Sequence, residues 1–271
     1  ALPVIGALRA RGFEPLLAAR PNILFFLKSV ETGCDVLEAP GGGLSGLWNG
    51  SYFYSAAAKA SPDSAVLMPN SWSSAYHAWR AGVPMRVGAA FRPFRRFFLT
   101  FAVSRRKYQS FPHQAQRYLS LLEPFGITPP ADAGDIGMRL RPTGDAVKAA
   151  AVFALSQRYA VIAPEAAYGP AKEWPLERYG EVARGLASNG MAVVCVGQGG
   201  WRGGGEEIAS VPGVIDLGGK TDMLSFVGVL AGAKVFVGND SGAAHVAAAL
   251  GVPTVVTVSY THLTLPTKRI V

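Results

Sequence analysis

Disulfides, long apolar runs and acidic residues are what this chain has least of, and each shortage excludes something. Only two cysteines occur in 271 residues, Cys34 and Cys195, far apart and in or beside strand-like sequence. Neither a disulfide framework nor a cysteine metal site can organise such a chain. The pair reads as two small buried hydrophobes in a reducing, cytoplasmic setting, with no metal site expected. No apolar run reaches the roughly 18 residues that a membrane helix needs, and the greasiest stretch, 97–103, is far too short. No secretory leader pattern opens the chain. Its 32 glycines and 19 prolines carry no three-residue period, so turns are many but a collagen-like repeat is excluded. What is present is a 49% hydrophobic chain with 16% charged residues, enough to bury a sizeable interior, at a length that suits two domains.

The shortage of acid is local. Asp and Glu number 18 against 26 Lys and Arg, and none falls between Ser64 and Leu122. That stretch holds Arg80, Arg86, Arg92, Arg95, Arg96, Arg105, Arg106, Lys107 and Arg117, nine cations against a net charge of +8, so the remainder is nearly neutral. Such a patch suits an anionic neighbour: nucleic acid, acidic lipid headgroups or a phosphorylated substrate. A solvated face is the plain alternative. Phe91, Phe94, Phe97, Phe98 and Phe101 interleave the charges, which fits a surface meeting lipid at the interface.

Alternation of strand and helix patterns runs through the second half. Strands are expected at 159–163, 191–196, 214–217, 234–237 and 253–258. Helices are expected at 176–188, stopped by Asn189-Gly190, at 223–231 behind Thr221 or Asp222, and at 242–250. The run M-A-V-V-C-V is apolar without alternation, the mark of a strand buried on both faces. The first half has a rougher version of the same rhythm, with strands at 13–18, 35–38, 65–68 and 86–87. The class is α/β with parallel sheets. Domains are expected at 1–141 and 142–258, with a ligand cleft at the carboxyl ends of the strands. Leu2-Pro3 looks like the first turn of a helix that an upstream strand should precede. Residues 259–271 lose the pattern and look non-native.

Three motifs imitate chemistry. Gly41 to Gly46 satisfies G-x-G-x-x-G, but Asp63 follows a proline with no strand leading into it, so a glycine loop is the better reading. Gly219-Lys220-Thr221 imitates a P-loop ending, but Val214 holds its first glycine position. Asp240, Ser241 and His245 name a hydrolase triad, but they sit within six residues and without the G-x-S-x-G elbow. The stretch 238–245, G-N-D-S-G-A-A-H, is more informative. It follows the strand K-V-F-V and opens an alanine-rich helix whose free amides and dipole can seat an anion, with Ser241 and His245 on one side, four apart. A capping residue beside a core histidine is the plain alternative. Lys172, on the loop after the strand at 159–163, could neutralise phosphate there or simply face solvent.

The stretches P-E-A-A-Y-G-P-A-K-E-W-P (164–175), G-N-D-S-G-A-A-H-V-A-A-A-L-G-V-P-T (238–254) and P-N-S-W-S-S-A-Y-H-A-W-R-A-G-V-P (69–84), with P-H-Q-A-Q-R-Y-L-S-L-L (112–122), resemble glycosyltransferase family 9, the ADP-heptose:lipopolysaccharide heptosyltransferases. The resemblance implies a GT-B architecture of two Rossmann-like domains and inverting transfer of a heptose from ADP-heptose to a Kdo- or heptosyl-lipid A acceptor. It implies an enzyme that is cytoplasmic and peripheral at the inner membrane face, with the ADP-sugar as substrate, no tightly bound cofactor and no nucleic-acid partner. By position, Lys172 would contact the donor's phosphates and Asp240 the sugar or ribose hydroxyls. Ser241, Gly242 and His245 would border the diphosphate, and Thr221 would lie beside the nucleoside. Ala167 and Tyr168 would contact the donor through their backbone, and Glu165 stands where the family often has Gly. Arg92, Arg95, Arg96, Arg105, Arg106 and Lys107 would face the acceptor and the membrane. The family's base, an Asp in a Gly-Asp turn, would lie upstream of Ala1. On that expectation no residue of this chain is the base, and residues 1–271 bind ADP without transferring sugar.

Overall fold

Parallel pairing dominates: among the described residues, every ladder between strands of the computed structural model is parallel. The described residues are 2–39, 51–91, 93–137, 139–155, 158–165, 174–199, 208 and 210–257. The glycine loop at 41–46 and the tail at 259–271 lie outside them. Two units divide the chain, one of residues 1–24 and 32–138, the other of 25–31 and 139–271.

In chain order the first unit carries α1 (Leu2–Arg9), β1 (Leu16–Ala19), the start of α2 (Pro21–Ser29), β2 (Asp35–Glu38), α3 (Ser51–Ala60), β3 (Ser64–Leu67), α4 (Trp72–Arg80), β4 (Met85–Ala90), α5 (Pro93–Arg96), β5 (Phe101–Ser104), α6 (Arg105–Gln109) and α7 (Gln114–Leu119). Its strands form a β1-β2 pair and a sheet of order β3-β4-β5. Local polar residues start its helices. The Ser71 and Ser104 side chains accept from the amides of Ser74 and Lys107, and His113 and Gln116 form a reciprocal capping box. Two small cores fill it, one around Val87, Ala89, Val103, Tyr108 and Leu121, the other around Val4, Leu119, Leu122 and Ile127. Strand β5 has no counterpart in the sequence reading, and β4 extends well past the expected 86–87. Phe101 and Ser104 are exposed while Val103 is buried, so β5 is a half-buried edge strand inside what read as a charged patch.

The second unit follows the expected alternation closely. It carries α8 (Gly144–Ala151), β6 (Tyr159–Ala163), α9 (Leu176–Ser188), β7 (Ala192–Cys195), β8 (Val214–Asp216), α10 (Met223–Gly232), β9 (Val235–Gly238), α11 (Gly242–Ala249) and β10 (Thr254–Val256). The sheet order is β10-β9-β6-β7-β8. All five residues of β6 are buried, as a central strand covered on both faces requires. Val161, Ile162, Val193 and Val194 are fully enclosed, and each such side chain contributes about 1.5–3 kcal/mol over its exposed state.

Candidate functional site

Strand order locates the site. From β6 the chain steps one way to β7 and β8, and then the other way to β9 and β10, so the order reverses between β6 and β9. In open parallel sheets, ligands bind outside the carboxyl ends of the strands at that reversal. Gly238 ends β9 there, paired with Ala163 of β6. A Cβ on Gly238 would stand 2.8 Å from the Ala163 carbonyl oxygen, so only glycine lets the two strand ends run this close.

Asn239 follows and is fully buried. Its Nδ2 donates to the Pro164 carbonyl at 2.6 Å, just beyond β6. Its Oδ1 accepts from the Trp174 amide at 3.1 Å, the Tyr179 hydroxyl at 2.8 Å and the Thr257 hydroxyl at 3.0 Å. Tyr179, on α9, is itself fully enclosed, and Trp174 packs edge-on against it. The sequence reading passed over Asn239. Its signal was an amide at a strand exit, polar at a place where the flanking pattern expects burial.

Asp240, Ser241 and His245 come next, and the fold does bring them together. Ser241 caps α11 in extended backbone without a side-chain bond to the helix, and its hydroxyl is buried with no partner. The Asp240 side chain is 9% exposed and its Oδ1 lies 3.7 Å from His245 Nε2, on the open side of the helix's first turn. Gly242 is exposed at that turn, so the helix end is accessible. An enclosed hydroxyl, a carboxylate and a helix N-terminus can serve a ligand with both an anionic group and hydroxyls. They do not form a hydrolase triad, because Ser241 has no hydrogen bond to a base.

Thr221 is half-buried beyond β8, beside Asp222. Asp222 is the true cap of α10: it accepts from the Ser225 amide at 2.8 Å, and the Ser225 hydroxyl and amide hold its carboxyl below the ordinary value. Three strand spacings separate β8 from β9, about 14 Å, with β10 beyond β9. Glu165 joins the β6 exit to the β7 exit, its carboxylate accepting from the Gln198 amide at 2.6 Å. Ala167, Tyr168 and Lys172 lie outside the described residues.

The basic stretch needs correcting. Arg95 is not on the surface but fully buried, its guanidinium donating to the Ser71 and Leu67 carbonyls and the Ser74 hydroxyl. The short crossover between β4 and β5 carries it inward against Gly88. Lys107 pairs at 2.5 Å with Glu123, the first acid beyond the acid-free stretch. Arg86 and Arg117 also turn onto backbone carbonyls. Arg92 lies outside the described residues, and Arg96, Arg105, Arg106 and the Glu123-paired Lys107 are exposed members of the expected patch. Among the described residues no group of His, Cys, Asp and Glu could hold a metal ion, and no helix is long and apolar enough to cross a membrane.

A reversed parallel sheet with a polar strand exit at the reversal, in a chain that also carries a second parallel α/β unit, defines a chain of the GT-B class. The family model of glycosyltransferase family 9 (heptosyltransferase) matches residues 58–263. The chain belongs to that family. It is 33% identical over 207 residues to lipopolysaccharide heptosyltransferase 2 of Escherichia coli K12, and 29% identical over 205 residues to lipooligosaccharide heptosyltransferase 2 of Haemophilus influenzae. These matches cover 71% and 70% of this chain, which spans 58% of either relative's length. Among solved structures, E. coli ADP-heptose heptosyltransferase II superposes with a TM-score of 0.74 at 24% identity, covering 93% of this chain and 78% of that one. An E. coli heptosyltransferase solved with ADP gives 0.66 at 21% identity, covering 96% and 82%.

Proposed function

We propose that the chain serves the inverting transfer of a heptose from ADP-heptose to the inner core of lipopolysaccharide, on a Kdo- or heptosyl-lipid A acceptor. The observation that carries this reading is the β9–α11 turn. It sets a partnerless Ser241 hydroxyl and the Asp240 carboxylate at the end of a helix, at the sheet's reversal point, in a member of family 9. The helix end and its free amides suit the diphosphate, which leaves with growing negative charge. Ser241, Gly242 and His245 border it, Asp240 takes sugar or ribose hydroxyls, and Thr221 lies on the nucleoside side. Lys172 neutralises phosphate, and Ala167 and Tyr168 contribute backbone groups. The ADP-sugar is substrate, and no cofactor is tightly held. Peripheral attachment at the cytoplasmic membrane face belongs to the same reading. It draws on Arg96, Arg105 and Arg106 with the Phe94 and Phe97 rings, which are 74% and 80% exposed.

Titration calorimetry with ADP tests the donor site. Lys172→Ala is expected to weaken ADP about 10-fold and to reduce the salt dependence of what remains, as loss of one charge-assisted contact requires. Equal affinity in two folded proteins removes Lys172 from the site. ADP binding with no heptose released to acceptor would favour the second reading, a nucleotide-sugar-binding module without transfer.

A further inference from the structure

One fully buried amide ties three other stretches of chain to its own at the site's edge. Asn239 Nδ2 donates to Pro164, where the segment after β6 begins, and its Oδ1 accepts from Trp174, where the described chain resumes before α9. The same oxygen takes the hydroxyls of Tyr179 on α9 and Thr257 after β10. Nine residues lie between Pro164 and Trp174 in numbering, and a single side chain spans both ends. The residue after Asn239 is Asp240.

We propose that Asn239 is a positioning residue for donor binding: its amide pins both ends of the 164–174 segment to the strand exit that carries Asp240 and Ser241. The proposal rests on the donor site assigned above. Only an amide serves here, because the node needs a donor toward Pro164 and an acceptor toward Trp174 in one planar group. A carboxylate lacks the donor, a hydroxyl is too short to bridge both, and an aliphatic side chain leaves a buried carbonyl and a buried amide unpaired. Full burial keeps water from replacing either bond. Fixing the ends of a segment restricts where its side chains can reach, so the pin would act on affinity through geometry rather than by touching the ligand.

The test compares Asn239→Ala with Tyr179→Phe in the full 271-residue chain. Tyr179→Phe removes a hydroxyl from the same node but keeps the bonds to Pro164 and Trp174. Each variant is measured for thermal stability, for ADP affinity by calorimetry, and for hydrogen exchange at the Trp174 amide without ligand. A pin predicts that Asn239→Ala weakens ADP by about 10-fold or more and speeds Trp174 exchange. Tyr179→Phe should stay within about twofold on ADP at a similar loss of melting temperature. Equal ADP losses in the two variants, in step with stability, would show an ordinary core hydrogen bond and overturn the proposal. If the wild type itself does not bind ADP, the donor reading fails, and the exchange result still decides the pin: unchanged Trp174 protection in Asn239→Ala sinks it.

Should the alanine variant not fold, Asn239→Asp answers the same question. Its carboxylate repels the Pro164 carbonyl, whereas its protonated form can donate to it. ADP affinity relative to wild type is therefore expected to recover as pH falls. A ratio that stays flat with pH overturns the donor half of the pin.

Discussion

After β9 the chain buries an amide, Asn239, whose nitrogen and oxygen both find partners; after β4 it buries a guanidinium, Arg95, which finds only neutral ones. Both residues are fully enclosed at the edge of a parallel sheet. The amide costs little once bonded, because no net charge leaves water. Among the described residues no carboxylate pairs with Arg95, its Nε is buried without a partner, and burial pulls its pKa down to about 10. The stretch around it, 64–122, holds no acid. Neutral pins leave the second unit's turn free to offer its field to a ligand. In the first unit the buried charge is a structural cost set against packing and three hydrogen bonds.

The largest effect should come from breaking that contrast at Arg95. Arg95→Ala empties a large buried volume and strips donors from the Ser71 and Leu67 carbonyls, at an expected cost of about 3–4 kcal/mol. Arg95→Met keeps the aliphatic bulk and removes the desolvated charge, and it should lose less than half as much. Urea unfolding of both variants reads this directly. A Met variant as unstable as the Ala variant would mean that the guanidinium is well satisfied after all, and the contrast between the two turns would collapse.

Alkaline pH should act on Cys195 and Tyr159 in one direction and on Arg95 in the other. In the second unit, burial pushes the Cys195 thiol from 9.0 and the Tyr159 hydroxyl from 10.0 each up to about 12. Their folded values lie above their unfolded ones, so the stability they contribute is complete below pH 9 and is lost as pH rises toward 12. Each fully titrating group removes up to about 1.4 kcal/mol per pH unit in that window. Arg95 has the reverse sign: between about 10 and 12.5 the unfolded chain holds the extra proton, so its share of stability rises with pH. Melting curves from pH 8.5 to 11 check both. Cys195→Ala should flatten the decline in the second unit, and the wild type minus Arg95→Met difference should grow in favour of the wild type. A decline that survives Cys195→Ala unchanged would show that the thiol is not the group responsible.

The second unit was legible because its strands are covered on both faces and its helices carry ordinary stop signals. The expected 159–163 and 176–188 match β6 and α9. The first unit was harder to read for a physical reason. Strand β5 has exposed residues at both ends and sits among cations, so neither a continuous apolar run nor a clean alternation marks it. Asp240, Ser241 and His245 could be read because a strand, a polar turn and a small-residue helix occur in immediate succession. Asn239 could not, since its partners Pro164, Trp174, Tyr179 and Thr257 are 18 to 75 positions away and only the sheet order brings them together. Arg95 misled for the same reason. Charge is visible in a sequence, but the direction in which a crossover turns it is not.

The smallest effect expected is on the surface that Arg95 leaves behind. With Arg95 inside and Lys107 held by Glu123, the proposed membrane attachment rests on Arg96, Arg105 and Arg106 and the exposed rings of Phe94 and Phe97. A cation near an anionic surface contributes about 1 kcal/mol, and that share fades with salt. Arg105→Glu with Arg106→Glu should weaken binding to phosphatidylglycerol vesicles about 10-fold or more at low salt, and much less at 0.5 M salt. Phe94→Ala with Phe97→Ala should lower binding at both salt levels, because ring burial at the interface is not a charge effect. ADP affinity should be unchanged in either pair, which keeps this surface separate from the β9–α11 turn. Vesicle binding that survives both pairs would make these residues a solvated face. Tight, sequence-independent binding to duplex DNA at physiological salt, lost with the two arginines, would assign the patch to nucleic acid instead.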